Sequence, residues 1–361
     1  MMHDGYANQV YGADFRIVRR LGAGGMGKVF VAEQMSTGKR RALKLMAPEL
    51  VCDPKMRAHF ALEAHAASIV DSDHVVDVIA AGVEPSTGEP WLAMELLDGE
   101  DLAQLVERHG PRPVAEAAEI VAQLCHGLGA AHAHGLVHRD LKPDNVFVAE
   151  ARRTGVPFTV KVLDFGIASL CAGGASIRAS RSIGTPLWMA PEQATLDAPI
   201  TAATDVWALG LVVYWLFTGK TYWRSGNDDR ASMSTLLTEV LFSPLVPASA
   251  RAVEQGAADA LPAGFDAWFA ACVARDPKMR FADARAAGEA FVRMVTPSAR
   301  AAAAVPVTPH RPARRVLPPP RTHRWLYVVA LVIGIGTPFG VFHPHRTFGG
   351  LTSAVARLTS R

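Results

Sequence analysis

Eight consecutive residues, His138-Arg139-Asp140-Leu141-Lys142-Pro143-Asp144-Asn145, constrain this chain more than any other feature. They place a carboxylate, an ammonium and a carboxamide on one short loop. A second carboxylate, in Asp164-Phe165-Gly166, follows nineteen residues after Asn145. Phosphoryl transfer to a hydroxyl needs an acid to orient and deprotonate that hydroxyl, two oxygen ligands for Mg²⁺, and a cation against the phosphate. All of these groups are present in the two motifs.

The surrounding pattern supplies a scaffold for them. Residues 146–148 and 160–163 read as a hairpin leading from the loop to Asp164. Upstream, Phe15-Arg16-Ile17-Val18 leads into Gly22-Ala23-Gly24-Gly25-Met26-Gly27 and then Val29-Phe30-Val31. Ser36 to Lys39 makes a turn into Ala42-Leu43-Lys44-Leu45, and a helix with Met56, Phe60, Leu62 and Glu63 follows. Strands around 75–80 and 91–96 complete a small antiparallel sheet. A glycine-rich turn also fits a dinucleotide-binding unit, where the glycines open a helix. The β-rich run Lys28-Val29-Phe30-Val31 favours a flap between two strands instead. Glycines suit such a flap because a side chain would hold the backbone away from phosphate oxygens.

Past Gly99 the pattern turns helical. Pro113 opens an amphipathic run through Ile120, Leu124 and Leu128 that stops at Gly135. The apolar stretch 206–217, bounded by Asp205 and Gly219, is too short to span a bilayer and reads as a helix buried on all sides. Two further helical patterns cover 265–274 and 283–295.

These motifs, in this order, resemble those of the eukaryotic-type protein kinases over roughly residues 15–295. The Gly-Gly-Met-Gly flap and the Met189-Ala190-Pro191-Glu192-Gln193 run resemble bacterial, Hanks-type members. The resemblance implies an α+β bilobal fold, with a small β-rich lobe and a larger helical one. In that fold Leu21, Gly22, Ala23, Gly24, Gly25, Met26, Gly27, Lys28 and Val29 of the flap would enclose ATP, together with Ala42. Lys44 would reach the α/β-phosphates and pair with Glu63. Met94 would back the adenine pocket, and the backbone of Glu95 and Leu97 would bond the adenine edge. Asp140 would orient the acceptor hydroxyl and take its proton, Lys142 would neutralise the transferring phosphoryl group, and Asn145 and Asp164 would hold Mg²⁺, or Mn²⁺. The Asp-Leu-Lys-Pro-Asp-Asn form resembles serine/threonine rather than tyrosine kinases. His138 reads as a packed structural residue. His132 and His134 sit at a helix end with no acidic or cysteine neighbour in sequence, so no metal site is suggested.

The same resemblance makes 164–192 an activation segment, with Ser176, Ser180, Ser182 and Thr185 as candidate phosphosites and Arg139 as a cation that could pair with the phosphate. Arg280 would pair with Glu192 beneath the substrate-docking loop, and Asp205 would brace the catalytic loop. The implied activity is transfer of the γ-phosphoryl group of Mg-ATP to Ser/Thr hydroxyls of proteins, this chain included, with a homodimer as a route to autophosphorylation in trans. A pseudokinase or scaffold would be expected to lack Lys44, Asp140 or Asp164. A small-molecule kinase would be expected to lack Ala190-Pro191-Glu192 or the Asp205 motif. All are present.

Composition bears on partners and location. The formal net charge is +3, yet residues 296–361 hold nine arginines and no Lys, Asp or Glu, so residues 1–295 carry −6, the total less +9. An acidic catalytic region argues against a nucleic-acid-binding core. Cys52, Cys125, Cys171 and Cys272 are scattered, which suggests neither a zinc site nor a disulfide framework and fits a reducing cytosol. Residues 1–14 form a polar tail without the apolar segment of a signal peptide. Residues 296–324, rich in Pro, Ala and Arg, read as an extended linker. Residues 325–342 are uncharged and apolar, and an arginine cluster precedes them. They are expected to form a single transmembrane helix that leaves the kinase cytoplasmic and 343–361 as a short extracytoplasmic tail; because Gly334, Gly336 and Pro338 weaken such a helix, the alternative is a loosely ordered or peripherally bound tail on a cytoplasmic protein.

Overall fold

The computed structural model describes residues 5–24, 27–46, 68–151, 155–165, 186–195 and 197–303, with side chains as far as 296. All of these residues belong to one unit, Met1–Pro306. The small lobe is a six-stranded antiparallel sheet of β1 (Val10–Tyr11), β2 (Phe15–Gly24), β3 (Gly27–Gln34), β4 (Lys39–Met46), β5 (Val78–Val83) and β6 (Pro90–Glu95). Its order is β1-β2-β3-β4-β6-β5. Two expectations shift. The sheet begins inside the expected tail, because Val10 and Tyr11 pair with Arg16 and Phe15 and bury the Tyr11 ring. The strand expected at 75–80 starts at Val78, because Val75 and Val76 are taken up across the lobes by Val162.

The run Ala42-Leu43-Lys44-Leu45-Met46 is buried at every position, and strand alternation explains why. Leu43 and Leu45 face one core with Phe30, Trp91 and Ala93. Ala42 and Met46 face a second with Leu92 and Met94, against which Val29, Leu97 and Leu163 pack. Lys44 shares that second face, because it pairs in register with Val29 on one side and Leu92 on the other. Gly27 closes the flap hairpin at φ +144°, and a Cβ there would strike the Leu45 carbonyl, so only glycine fits.

The larger lobe is helical: α1 (Leu102–His109), α2 (Val114–Ala133), α3 (Ala202–Thr218), α4 (Met233–Phe242), α5 (Ala248–Glu254), α6 (Phe265–Cys272) and α7 (Ala284–Ala303). Pro113 caps α2, where its missing N–H costs nothing, and Gly135 follows the far end at φ +73°. Helix α3 is apolar on nearly every side and buried except at Ala202 and Trp215, which are partly exposed, as its sequence suggests. It starts before Asp205, which therefore lies inside the helix. It ends at Gly219, left-handed at φ +68°, whose N–H returns to the Trp215 carbonyl at 2.7 Å. Helices α4 and α5 have no counterpart among the expected elements, and α7 runs on to Ala303, past Thr296 where a linker was expected. The expected hairpin, β8 (Val146–Glu150) and β9 (Phe158–Val162), gains a third strand, β7 (Gly99–Asp101), in the order β7-β8-β9.

Candidate active site

Three segments separated in sequence meet between the two lobes. Lys44 comes from the centre of the small sheet, and its Nζ lies 2.6 Å from Asp164 Oδ2. Asp164 follows β9 directly. In the loop before β8, Lys142 Nζ donates to Asp140 Oδ2 at 2.9 Å. Asn145 Nδ2 donates to the Asp140 carbonyl at 2.7 Å and to its Oδ2 at 3.2 Å. The expected partner of Lys44, Glu63, lies outside the described residues, and the partner observed is Asp164.

His138 joins the loop to Asp164. It is fully buried, its Nδ1 accepts the Asp140 N–H at 3.2 Å, and its Nε2 donates to the Leu163 carbonyl at 2.7 Å. Its ring also packs on Phe165, with centroids 5.0 Å apart. Both ring nitrogens are committed, so His138 is a strut and not a base. Leu163 N–H in turn donates to the Asn145 carbonyl at 2.9 Å. The two oxygen-bearing residues expected to bind a cation are thus tied together through backbone.

Asp205 braces this loop from α3. Its Oδ2 accepts the His138 N–H at 2.7 Å and its Oδ1 accepts the Arg139 N–H at 2.8 Å. His132 also reaches it, at 2.8 Å from Nε2 to Oδ2, while His132 Nδ1 accepts the Ala284 N–H at 3.2 Å. Sequence spacing left His132 without an acidic partner, and folding supplies one from 73 residues away. The bracing has a purpose, because Arg139 and Asp164 hold left-handed backbones at φ +67° and +55°. Such conformations cost non-glycine residues roughly 1–3 kcal/mol and persist only where the surroundings impose them. Gln193 adds a further tie: its Nε2 donates to the Arg139 carbonyl at 2.7 Å while its Oε1 accepts the Ala190 N–H at 2.9 Å.

Beneath this, Arg280 and Glu192 form a two-pronged pair with both Nη–Oε distances at 2.8 Å. Thr204 Oγ1 also donates to Glu192, at 2.9 Å. On the Lys44 face of the small sheet, Val29, Ala42, Met94 and Leu97 meet in one apolar cluster. Glu95 donates its N–H to the Asp77 carbonyl at 3.0 Å, which restricts any adenine contact at this residue to the carbonyl. Its side chain is buried and bonds Lys161 Nζ at 2.5 Å, a contact no sequence motif announces. Lys28 points its side chain to the other face of the sheet, so its share in a nucleotide site is limited to its backbone. Leu21, Gly22, Ala23 and Gly24 lie exposed at the end of β2. Gly25, Met26, Ser176, Ser180, Ser182 and Thr185 lie outside the described residues.

The donor set suits a hard divalent cation. Both amide hydrogens of Asn145 are directed at Asp140, which leaves its Oδ1 as the acceptor end. Burial alone would raise the Asp164 carboxyl, but the Lys44 ammonium, by charge and hydrogen bond, with Lys142 adding to it, holds it below the usual carboxylate range. Asp164 is therefore an anion at neutral pH. Among the described residues no three His, Cys, Asp or Glu side chains are grouped to hold a metal, so the rest of the shell would come from phosphate and water. Cys125 and Cys272 are buried free thiols, and burial pushes Cys125 up to about 12, so neither is a nucleophile.

A small antiparallel lobe, a helical lobe and this cluster between them define a class, and the comparisons agree. The protein kinase domain matches residues 15–291, most of the chain, and the chain belongs to the protein kinase family. It is 39% identical over 236 residues to the serine/threonine-protein kinase Pkn1 of Myxococcus xanthus, across 65% of this chain and 32% of that one. It is 36% identical over 203 residues to the serine/threonine-protein kinase PknB of Mycobacterium leprae, across 55% and 32%. The crystal structure of the M. tuberculosis PknI kinase domain superposes with a TM-score of 0.61 at 27% identity, covering 80% of this chain and 99% of that one. The chain spans about a third of the length of Pkn1 and PknB.

Proposed function

We propose that this chain transfers the γ-phosphoryl group of ATP to serine and threonine hydroxyls of proteins, itself included. The observation that carries the proposal is that the Lys44–Asp164 pair, at 2.6 Å, and the Asp140–Lys142–Asn145 set, at 2.7–3.2 Å, are joined through His138 and the Leu163 backbone. Asp140 orients the acceptor hydroxyl and takes its proton, and Lys142 offsets negative charge beside it. Lys44 holds the α/β-phosphates once its ammonium turns from Asp164 to the nucleotide. Asn145 and Asp164 would hold Mg²⁺, which would neutralise charge on the phosphates. The glycine-rich flap covers the phosphates and excludes water. Preference for Ser and Thr is supported by Lys142 in the Asp-Leu-Lys-Pro-Asp-Asn loop and by the serine/threonine kinases it resembles. A phosphate on Ser176, Ser180, Ser182 or Thr185 would pair with Arg139, and a transient homodimer would allow it to be added in trans.

The proposal extends to location. No helix among the described residues is long and apolar enough to cross a membrane, and 325–342 lies outside them. The support for a single span there is the uncharged apolar run flanked by Arg311, Arg314, Arg315, Arg321 and Arg324, which keeps the kinase on the cytoplasmic side.

One experiment covers both parts. Membranes carrying the full chain are washed with alkaline carbonate, then given γ-labelled ATP, Mg²⁺ and a generic protein acceptor. The chain should stay in the pellet and label serine and threonine of the acceptor, with sites on the chain mapped by mass spectrometry. Label only on tyrosine, or none, overturns the kinase assignment. Release of the chain by carbonate overturns the span.

A further inference from the structure

The N-terminal turn makes a contact that the transfer chemistry does not use. Residues 5–9 are fastened to β2: Asn8 N–H donates to the Ile17 carbonyl at 3.1 Å, and Ile17 N–H to the Gln9 carbonyl at 2.9 Å. Asn8 is left-handed at φ +66°, a conformation asparagine tolerates, and this reverses the chain. The turn thereby presents Tyr6 to the outer face of the small sheet. Its ring lies 5.3 Å from Phe30, centroid to centroid, and packs on the cluster of Phe15, Ile17 and Leu43. Its hydroxyl accepts from Lys28 Nζ at 3.0 Å, and the same ammonium sits 4.4 Å from the ring centroid.

Lys28 and Phe30 alternate with Val29 along β3, so Tyr6 grips β3 from the side opposite Lys44. The grip falls close to the flap tip. Lys28 pairs with Ala23 across the hairpin, and only the Gly24–Gly27 pair lies beyond it. Most of the β2 half of this hairpin is exposed, so little else from the sheet packs on that strand.

We propose that Tyr6 is a positioning residue for ATP, fixing the phosphate-binding flap over Lys44 through Lys28 and Phe30 without touching the nucleotide. This rests on the kinase reading above. A hairpin whose stem is held in one pose in advance loses less freedom when ATP binds, so the grip acts on nucleotide affinity. Once ATP is bound its phosphates hold the flap, and the chemical step loses little.

The test compares Tyr6→Leu, Tyr6→Phe and wild type by KM for ATP, kcat, and Kd for ATP titrated without acceptor. Tyr6→Leu keeps apolar packing but loses both polar contacts, which at a partly exposed site correspond to a rise of about fivefold in KM and Kd. Its kcat should stay within about twofold. Tyr6→Phe keeps the ring under Lys28 and should recover about half of the effect on a logarithmic scale. Met35→Ala, on an exposed residue at the far end of β3–β4, should change nothing and controls for general damage to the lobe. Wild-type KM and Kd in Tyr6→Leu, or a fall in kcat with KM unchanged, overturns the proposal. A wild type that binds ATP but transfers nothing overturns the kinase reading, while the Kd comparison still decides the role of Tyr6. A wild type that binds no ATP overturns both.

Discussion

Asp140→Asn should lower turnover by ~10²-fold or more, the share usual for a lost general base, while ATP affinity stays within about twofold. The carboxylate is steered by Lys142 at 2.9 Å and Asn145 at 3.2 Å, and its side chain remains about 29% exposed, where an acceptor hydroxyl can reach it. An amide fills the same volume but cannot accept the proton. The backbone that places residue 140 does not depend on its side chain, because His138 and Asp205 hold the neighbouring N–H groups. Binding should therefore survive while chemistry fails. Steady-state kinetics beside an ATP titration separate the two, and autophosphorylation of Asp140→Asn at the wild-type rate would place the base elsewhere.

Arg280→Ala should cost ~3–5 kcal/mol of folding stability, the range for breaking one side of a buried ion pair. The guanidinium is buried and saturated: besides Glu192 it donates to the carbonyls of Ala203 at 2.8 Å and Ala274 at 2.7 Å, and it lies 5.0 Å from the Trp207 ring centroid. Truncation strands the Glu192 carboxylate with only Thr204 for company. It also empties the space beside Trp207. Replacing both partners with apolar residues, Arg280→Met with Glu192→Leu, should recover much of the loss, because no charge is then stranded. Activity should fall in the double variant regardless, since the segment holding Gln193, and through it Arg139, loses its anchor. Urea unfolding of the two variants measures the difference. A loss below about 1 kcal/mol for Arg280→Ala would mean that the pair is dispensable to the fold.

The cluster was legible because Asp140, Lys142, Asn145 and Asp164 lie in two motifs that resemble those of protein kinases, and the structure joins the two motifs through His138. The apolar run of α3 was legible for a different reason: burial on every side leaves no polar stripe. What escaped depends on distance along the chain. His132 looks solitary until α3 brings Asp205 to it, and Lys161 looks like a surface lysine until the lobes meet and Glu95 takes it. Gln193 carried a faint local signal, three residues past Ala190 at a helical turn, where a side chain can close back on the backbone. Strand β1 and the Tyr6 turn were hidden because two short segments flanked by Gly5 and Gly12 show no strand period. Helix α4, with Leu236 and Val240 four residues apart, had the right spacing but too few buried positions to stand out.

If Asp140 serves as base for direct transfer to the acceptor, as proposed above, the phosphoryl group moves in a single in-line step. The stereochemistry at phosphorus decides it most directly. ATP made chiral at the γ-phosphorus with sulfur and oxygen isotopes is given to the wild-type chain, and the configuration of the thiophosphoryl group on the acceptor serine or threonine is determined. Direct transfer should give inversion, the signature of one displacement. Retention would require two displacements through a phosphorylated residue of the chain, and would contradict direct transfer to an acceptor hydroxyl deprotonated by Asp140.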